Sequence, residues 1–239
     1  MISFVVPAWN EERWLPATLA SLHQAGAAGG RPYEIVLADD ASTDRTTEIA
    51  LANGANVVTV SHRQISATRN SGARAARGDI LIFVDADTQV TPESVRAALA
   101  ALDAGAVGGG AGIRFDGKVP LWSRALLPLL LLSFRWSRLA AGCFLFCRRA
   151  DFEAVGGFDE KVYASEEIWL SRALGRRGRF VVLKERVVTS ARKLRANSGG
   201  VHLRTLWRLA RVGRRGLADR KNLDLWYDGR RDDPGAPPT

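Results

Sequence analysis

Five consecutive apolar residues, Ile80 to Val84, run straight into Asp85-Ala86-Asp87 and Thr88. No stretch of this chain narrows its possible folds more. An unbroken apolar run of that length reads as a strand buried on both faces, and such strands belong to parallel sheets covered by helices. The two carboxylates at its end lie one residue apart. Buried carboxylates repel one another unless a cation or hydrogen-bond donors compensate them. A divalent ion that also holds a diphosphate meets that need, because hard cations take oxygens from one or two carboxylates and from phosphate. Two solvated acids closing a strand are the alternative.

The preceding and following residues repeat the order of strand, then helix. Ile2 to Val6 is a first strand, ending at Pro7. Asn10 is placed to cap a helix with Glu11 and Glu12 in its first turn and Leu15, Leu19 and Leu22 on one face. After a loop from Gly26 to Pro32, Glu34 to Ala38 is a second strand, ending in Asp39-Asp40. A helix is expected from Asp44 to Asn53, a third strand from Ala55 to Val60, and a helix from Ser66 to Arg77. Thr91 caps another helix, with Pro92 at its first position and Gly105 beyond its end. This alternation predicts an α/β fold with a mostly parallel central sheet flanked by helices. Ligands bind such sheets beyond the carboxyl ends of the strands. The polar clusters Trp9-Asn10-Glu11, Asp39-Asp40 and Asp85-Ala86-Asp87 all fall there.

Beyond residue 106 the pattern loosens. Gly105 to Gly112 is glycine-dense but lacks the Lys and the strand–loop–helix setting of a phosphate loop. Residues 119–147 are apolar with scattered Arg and Trp. Ala150 to Val155 is a short helix, Ser165 to Leu174 a helix with Glu166 and Glu167 in its first turn, and Phe180 to Leu183 a strand. Residues 201–215 form an amphipathic helix with Arg204, Arg208, Arg211 and Arg215 on one stripe. The end, DDPGAPPT, has the composition of a disordered tail.

The chain of 239 residues carries a net charge of +9, and the excess is local. Residues 172–221 hold 16 Lys/Arg against 2 Asp/Glu, whereas residues 1–171 hold 16 against 19. A basic segment suits nucleic acid, an anionic membrane or a phosphorylated substrate, or is simply a solvated face. Aromatic residues do not interleave with its arginines as single-strand binders require, which disfavours nucleic acid. Cys143 and Cys147 have neither paired CxxC spacing nor a His partner, so core thiols in a reducing compartment are expected. The first residues show no basic, then apolar, leader. The longest apolar run, Ala125 to Leu132, contains Pro128 and falls far short of the roughly 20 residues of a spanning helix.

Five segments in order resemble the family-2 glycosyltransferases of the GT-A fold: FVVPAWNEE, VLADDASTDRT, ISATRNSGARAARGDILIFVDADT, RRADFEAVGGFDE and EEIWLSRAL. The resemblance covers about residues 1–190. The TSAR at 189–192 further resembles short bacterial members that end in such a segment and a basic helix. It implies one domain over 1–221, with a nucleotide-sugar half at 1–105, an acceptor half at 106–221 and a tail at 222–239. It also implies an inverting, metal-assisted transfer of sugar from a UDP- or GDP-type nucleotide-diphospho-sugar to a sugar or lipid-linked acceptor. Pro7, Ala8, Asn10 and Glu12 of the opening turn, with Arg69 and Ala86, would bind the donor. Asp40 would accept a hydrogen bond from the base. Asp87 would ligate Mn2+ or Mg2+, and Asp85 would hold ribose or the metal through water. His202 is a further candidate ligand. Trp122, Trp136 and Trp169 are candidates for stacking on sugars, or for the core.

The chain departs from the family pattern twice. Glu166-Glu167 stands where Glu-Asp is usual, so Glu167 takes the position of the general base and Glu166 is the alternative. Ala41 stands in the Asp-Asp turn where Gly is usual, and Arg45 replaces a later Gly. Two rival functions are weaker. A sugar nucleotidyltransferase would open with a glycine-rich basic loop in place of PAWNEE. A non-catalytic binder of membranes or nucleotide-sugars would not need Asp40, Asp85, Asp87 and Glu167 in register. A cytoplasmic protein is expected, in peripheral contact with an anionic inner membrane face; the alternative is that the apolar run and the arginine stripe close the acceptor-side core.

Overall fold

A computed structural model describes residues 1–196, 199–201 and 204. His202, Arg208, Arg211, Arg215 and the 222–239 tail lie outside the described residues. The elements follow in the order β1 (Ile2–Ala8), α1 (Leu15–Ala28), β2 (Tyr33–Asp39), α2 (Thr46–Ala52), β3 (Asn56–Thr59), α3 (Ile65–Ala75), β4 (Ile80–Val84), β5 (Thr88–Gln89), α4 (Pro92–Asp103) and β6 (Gly108–Phe115). Then come α5 (Leu121–Trp136), β7 (Phe144–Arg148), α6 (Arg149–Ala154), α7 (Glu166–Arg177), β8 (Phe180–Thr189) and α8 (Arg192–Ala196).

The described strands form one sheet in the order β3-β2-β1-β4-β7-β6-β8-β5. Strands β1 to β4 are mutually parallel. β7 runs antiparallel to both β4 and β6, and β8 runs parallel to β6. The strands β1, β2, β3, β4, β6 and β8 therefore share one direction, and their carboxyl ends share one edge. The chain order reverses between β1 and β4, where sheets of this kind open a crevice.

Burial explains why the first strands were legible. Along β4, Ile80, Ile82 and Val84 join a core with Leu15, Leu19, Leu22 and Leu99 of α1 and α4. Leu81 and Phe83 join a second core with Phe152, Leu170 and Leu174 of α6 and α7. A strand buried on both faces needs apolar side chains at every position. Helix α3 lies so close to the sheet that a Cβ on Gly72 would stand 2.6 Å from Val5 Cγ1.

The structure corrects three expectations. Asn10 does not cap α1, whose N-cap is Trp14; it adopts φ 52° and its Oδ1 accepts the Thr43 amide at 2.8 Å. The glycine-dense 105–112 stretch is not loose, because Gly108 to Gly110 belong to the central strand β6. A Cβ on Gly109 would fall 2.3 Å from the Val181 carbonyl oxygen and 2.6 Å from Phe146 Cζ, so glycine lets neighbours from both sides close over the strand. The irregular 119–147 region resolves into α5 and β7, while β8 runs on to Thr189 through Lys184-Glu185-Arg186.

Candidate active site

The strand ends open into a cleft of about 400 Å3, within the range of ligand pockets. Pro7, Ala8, Asp40, Arg69, Asp85, Ala86, Asp87, Glu166 and Glu167 all line it. Residues from positions 7 to 167 thus meet because β1, β2, α3, β4 and α7 deliver them to one edge. Asn10 and Glu12 do not line the cleft. Glu12 is exposed and its Oε2 accepts the Arg45 amide at 3.1 Å, so both residues fasten the loop after β1 to the loop after β2.

Asp40 is buried and well supplied with donors. Its Oδ1 accepts the amides of His62 and Arg63 at 2.6 and 2.9 Å, and its Oδ2 accepts the Thr68 hydroxyl at 3.2 Å. A carboxylate offers about four acceptor sites, so Oδ2 keeps room for one further donor. Beside it the Arg63 guanidinium lies 4.4 Å from the centre of the Trp9 ring, and both residues line the cleft.

Arg69 is 2% exposed and spans the floor. It donates to Asp85 Oδ1 and Glu166 Oε1, each at 2.6 Å, and to the Gly142 carbonyl at 2.9 Å. Burial works against its charge, yet Asp85 and Glu166 hold its pKa above the ordinary arginine value. Its two terminal nitrogens form a clamp between β4 and α7, and the residue lines the cleft. The neighbouring Asn70 fixes the next loop by donating to the Phe158 carbonyl at 2.9 Å and accepting the Phe158 amide at 3.0 Å.

The two glutamates of α7 part company. Both line the cleft, but Glu166 is buried and tied to Arg69, whereas Glu167 is half-buried. Burial, and next the Glu166 carboxylate, push the Glu167 carboxyl up to about 8. Ser165, just before them, holds φ 61°. Non-glycine residues rarely accept that geometry, and such strain concentrates at functional sites. Asn10, Ala41 and Arg63 share it, all in loops at the same sheet edge. The turn that usually carries Gly thus keeps its left-handed shape with Ala41 at φ 56°.

Asp87 faces a second arginine. Its Oδ2 lies 3.0 Å from Arg192, which also makes a two-pronged bond to Glu11, with both contacts at 2.7 Å. Arg192 reaches this position because β5 pairs with the end of β8 and Thr88 bonds Thr189 at 2.8 Å. Burial raises the Asp87 carboxyl to about 6 against the pull of Arg192, with Glu11 and Asp85 adding to the rise. Six acids, Glu11, Asp40, Asp85, Asp87, Glu166 and Glu167, line the cleft with four bases, Arg63, Arg69, Arg192 and Lys193. Among the described residues no group of three or more His, Cys, Asp or Glu could hold a metal ion alone.

The sequence profile described as glycosyl transferase family 2 matches residues 3–156. The chain belongs to this family. It is 39% identical over 107 residues to the undecaprenyl-phosphate 4-deoxy-4-formamido-L-arabinose transferase of Pseudomonas paraeruginosa, covering 40% of this chain and 30% of that one. The counterpart from Aeromonas hydrophila is 36% identical over 106 residues, 40% of this chain and 31% of that one. The chain spans about a third of the length of these curated relatives. Among solved structures, the mannosyltransferase PcManGT from Pyrobaculum calidifontis, in complex with GDP-Man and Mn2+, superposes with a TM-score of 0.66 at 20% identity, over 93% of this chain and 64% of that one. Glucosyl-3-phosphoglycerate synthase from Mycobacterium tuberculosis, in complex with Mn2+, UDP and phosphoglyceric acid, gives 0.60 at 22% identity, over 89% and 78%. The fold is the α/β fold of the GT-A transferases.

Trp9 and Glu11 belong to the polar cluster expected after β1, although nothing in NEE says which carboxylate turns inward. Arg192 carries a signal as the last residue of the TSAR segment of this family-2 chain. Arg63, which also lines the cleft, carries none in the sequence. The candidate sugar-stacking Trp122, Trp136 and Trp169 do not line the cleft. Cys143 and Cys147 are buried, unbonded thiols, and burial raises the pKa of both.

Proposed function

We propose that the protein is an inverting glycosyltransferase that moves a sugar from a UDP- or GDP-type nucleotide-diphospho-sugar to a hydroxyl of a sugar or lipid-linked acceptor, with Glu167 as general base. The observation that carries this reading is the split between the two glutamates: in the cleft that Asp40, Asp85 and Asp87 also line, Glu166 is buried and spent on Arg69, while Glu167 is the more exposed. The spare acceptor site of Asp40 Oδ2 suits the N–H of an imide base, and the Trp9–Arg63 stack offers a planar wall beside it. The names of the relatives support both substrate classes: GDP-Man and UDP occupy solved structures of this fold, and undecaprenyl phosphate is named in the matched transferases.

The acid excess of the cleft fits a divalent cation. Asp87, with Asp85 through water, would hold Mn2+ or Mg2+ in concert with diphosphate oxygens, the ligand pattern such ions prefer. A cation bound there supplies Lewis-acid compensation for charge on the leaving nucleoside diphosphate. The residues of the chain do the rest. Arg69 holds Asp85 and Glu166 at fixed separation. Glu167 receives the proton of the acceptor hydroxyl as that oxygen attacks the anomeric carbon, and displacement by a single oxygen inverts the anomeric centre.

The test is a panel of nucleotide-sugars with Mn2+ or Mg2+, following released nucleoside diphosphate with lipid and sugar acceptors. Glu167→Gln is expected to keep donor affinity and lower kcat by about 10²–10⁴. A larger loss in Glu166→Gln exchanges the two roles, and an anomer-retaining product contradicts the mechanism. The base form of Glu167 exists above its raised pKa. The kcat/KM of the parent should therefore climb as pH rises through about 8, and Glu167→Gln should flatten that limb.

A further inference from the structure

Helix α5 carries an apolar face with no cover among the described residues. Leu121, Leu129, Leu132 and Trp136 are 80, 67, 60 and 89% exposed. At about 100° per residue these four positions fall within about 80° of arc, so they form one stripe along the helix. Single exposed leucines are ordinary on a protein surface; several large apolar side chains gathered on one helix face mark a docking face. The charge of the segment is of one sign. From Gly117 to Ala140 the chain holds Lys118, Arg124, Arg135 and Arg138 and not one Asp or Glu. Lys118, Arg124 and Arg138 are exposed around the stripe. At 16 residues α5 is too short to cross a bilayer, and no described helix is long and apolar enough to do so. An apolar stripe bordered by cations is the pattern of a helix that lies in the interface of an anionic membrane.

The place of α5 in the fold gives this face a purpose. The helix is an excursion between two walls of the cleft: Ile113 and Phe115 line it just before α5, and Ala141, Gly142 and Cys143 line it just after. Glu167 stands against that second wall, 3.5 Å from where a Cβ on Gly142 would sit. We propose that α5 docks the protein flat on an anionic lipid surface and so presents the acceptor side of the cleft to the membrane. Docking itself is independent of the glycosyl-transfer reading. Only the consequence, that a membrane-borne acceptor reaches Glu167, rests on it.

The test is flotation of the full chain with vesicles of phosphatidylglycerol and phosphatidylethanolamine, compared with phosphatidylcholine alone. No donor or acceptor is present, so the outcome does not depend on catalysis. The parent should float with the anionic vesicles at low salt and be released at about 1 M salt, where charges are screened within about 3 Å. Leu129→Ser/Leu132→Ser/Trp136→Ser should lower the bound fraction at least tenfold with Tm unchanged, because nothing in the core is removed. Lys118→Gln/Arg124→Gln/Arg138→Gln should abolish the preference for anionic lipid. A parent that stays in solution, or a triple serine variant that binds as the parent does, overturns the proposal. So does a marked fall in Tm of that variant, which would mean the chain itself covers the stripe. A salt-resistant dimer that the serine changes dissolve would assign the face to a second copy instead.

Discussion

Two arginines brace the floor of the cleft, and they do so from different depths. Arg69, on α3 within the core, links Asp85 to Glu166 and so joins β4 to the start of α7. Arg192, on the short helix α8 at the cleft edge, links Asp87 to Glu11. Each arginine thus takes one Asp of the strand-end pair and one distant Glu. The difference lies in what each could give up. Arg69 is 2% exposed and its terminal nitrogens hold Asp85, Glu166 and the Gly142 carbonyl, so releasing either carboxylate would strand a buried charge. Arg192 keeps both contacts to Glu11 even if it lets go of Asp87, whose single contact is the longer one at 3.0 Å. One clamp is therefore architecture. The other leaves Asp87 available to a cation.

That contrast can be broken most forcefully at Arg69. Removing one partner from a buried ion network costs about 3–5 kcal/mol. Arg69→Met should lose stability of that order in chemical denaturation, and a loss below about 1 kcal/mol would remove Arg69 from the architecture. Arg192→Gln should cost less, about 1–3 kcal/mol for hydrogen bonds to a charged group. It should also tighten binding of Mn2+ alone, measured by calorimetry, because Asp87 then loses its competing cation. Unchanged or weaker Mn2+ binding would show that Arg192 does not compete for Asp87. The smallest effect belongs to the strained turn after β2. Ala41 holds φ 56°, a left-handed geometry that costs a residue with a Cβ about 1–2 kcal/mol. Ala41→Gly should raise stability by about 1 kcal/mol after the added chain entropy is set against that relief, and a fall would mean the turn is not strained.

Legibility in the sequence followed burial. β1, β2 and β4 announce themselves because both faces of each strand are packed, which leaves continuous apolar runs. The capping residue Thr91 was legible for a local reason: its hydroxyl accepts the Ser94 amide at 3.1 Å in a capping box. β6 was not legible, since its glycines are selected by the closeness of Val181, Phe146 and Ala140, all distant in the chain. The same division holds in the site. Pattern alone locates the strands that Asp40, Asp85 and Asp87 follow and the helix that the Glu166-Glu167 pair opens; singling out Glu167 rests on the family resemblance. Arg69 does line the cleft, but its ties to Asp85 and Glu166 are not legible, because a sequence names a charge without naming its partners. The pairing of Glu11 with Arg192 spans 181 positions and exists only once β5 and β8 are joined.

The central claim is that this sheet edge binds a nucleoside diphosphate through a divalent cation held at Asp87. Isothermal titration of UDP and of GDP, with and without Mn2+, into the parent and into Asp87→Ala tests it most directly. The account predicts binding by the parent of at least one nucleotide that requires Mn2+, and its loss in Asp87→Ala with the thermal transition preserved. Equal, Mn2+-independent binding by both proteins would contradict it.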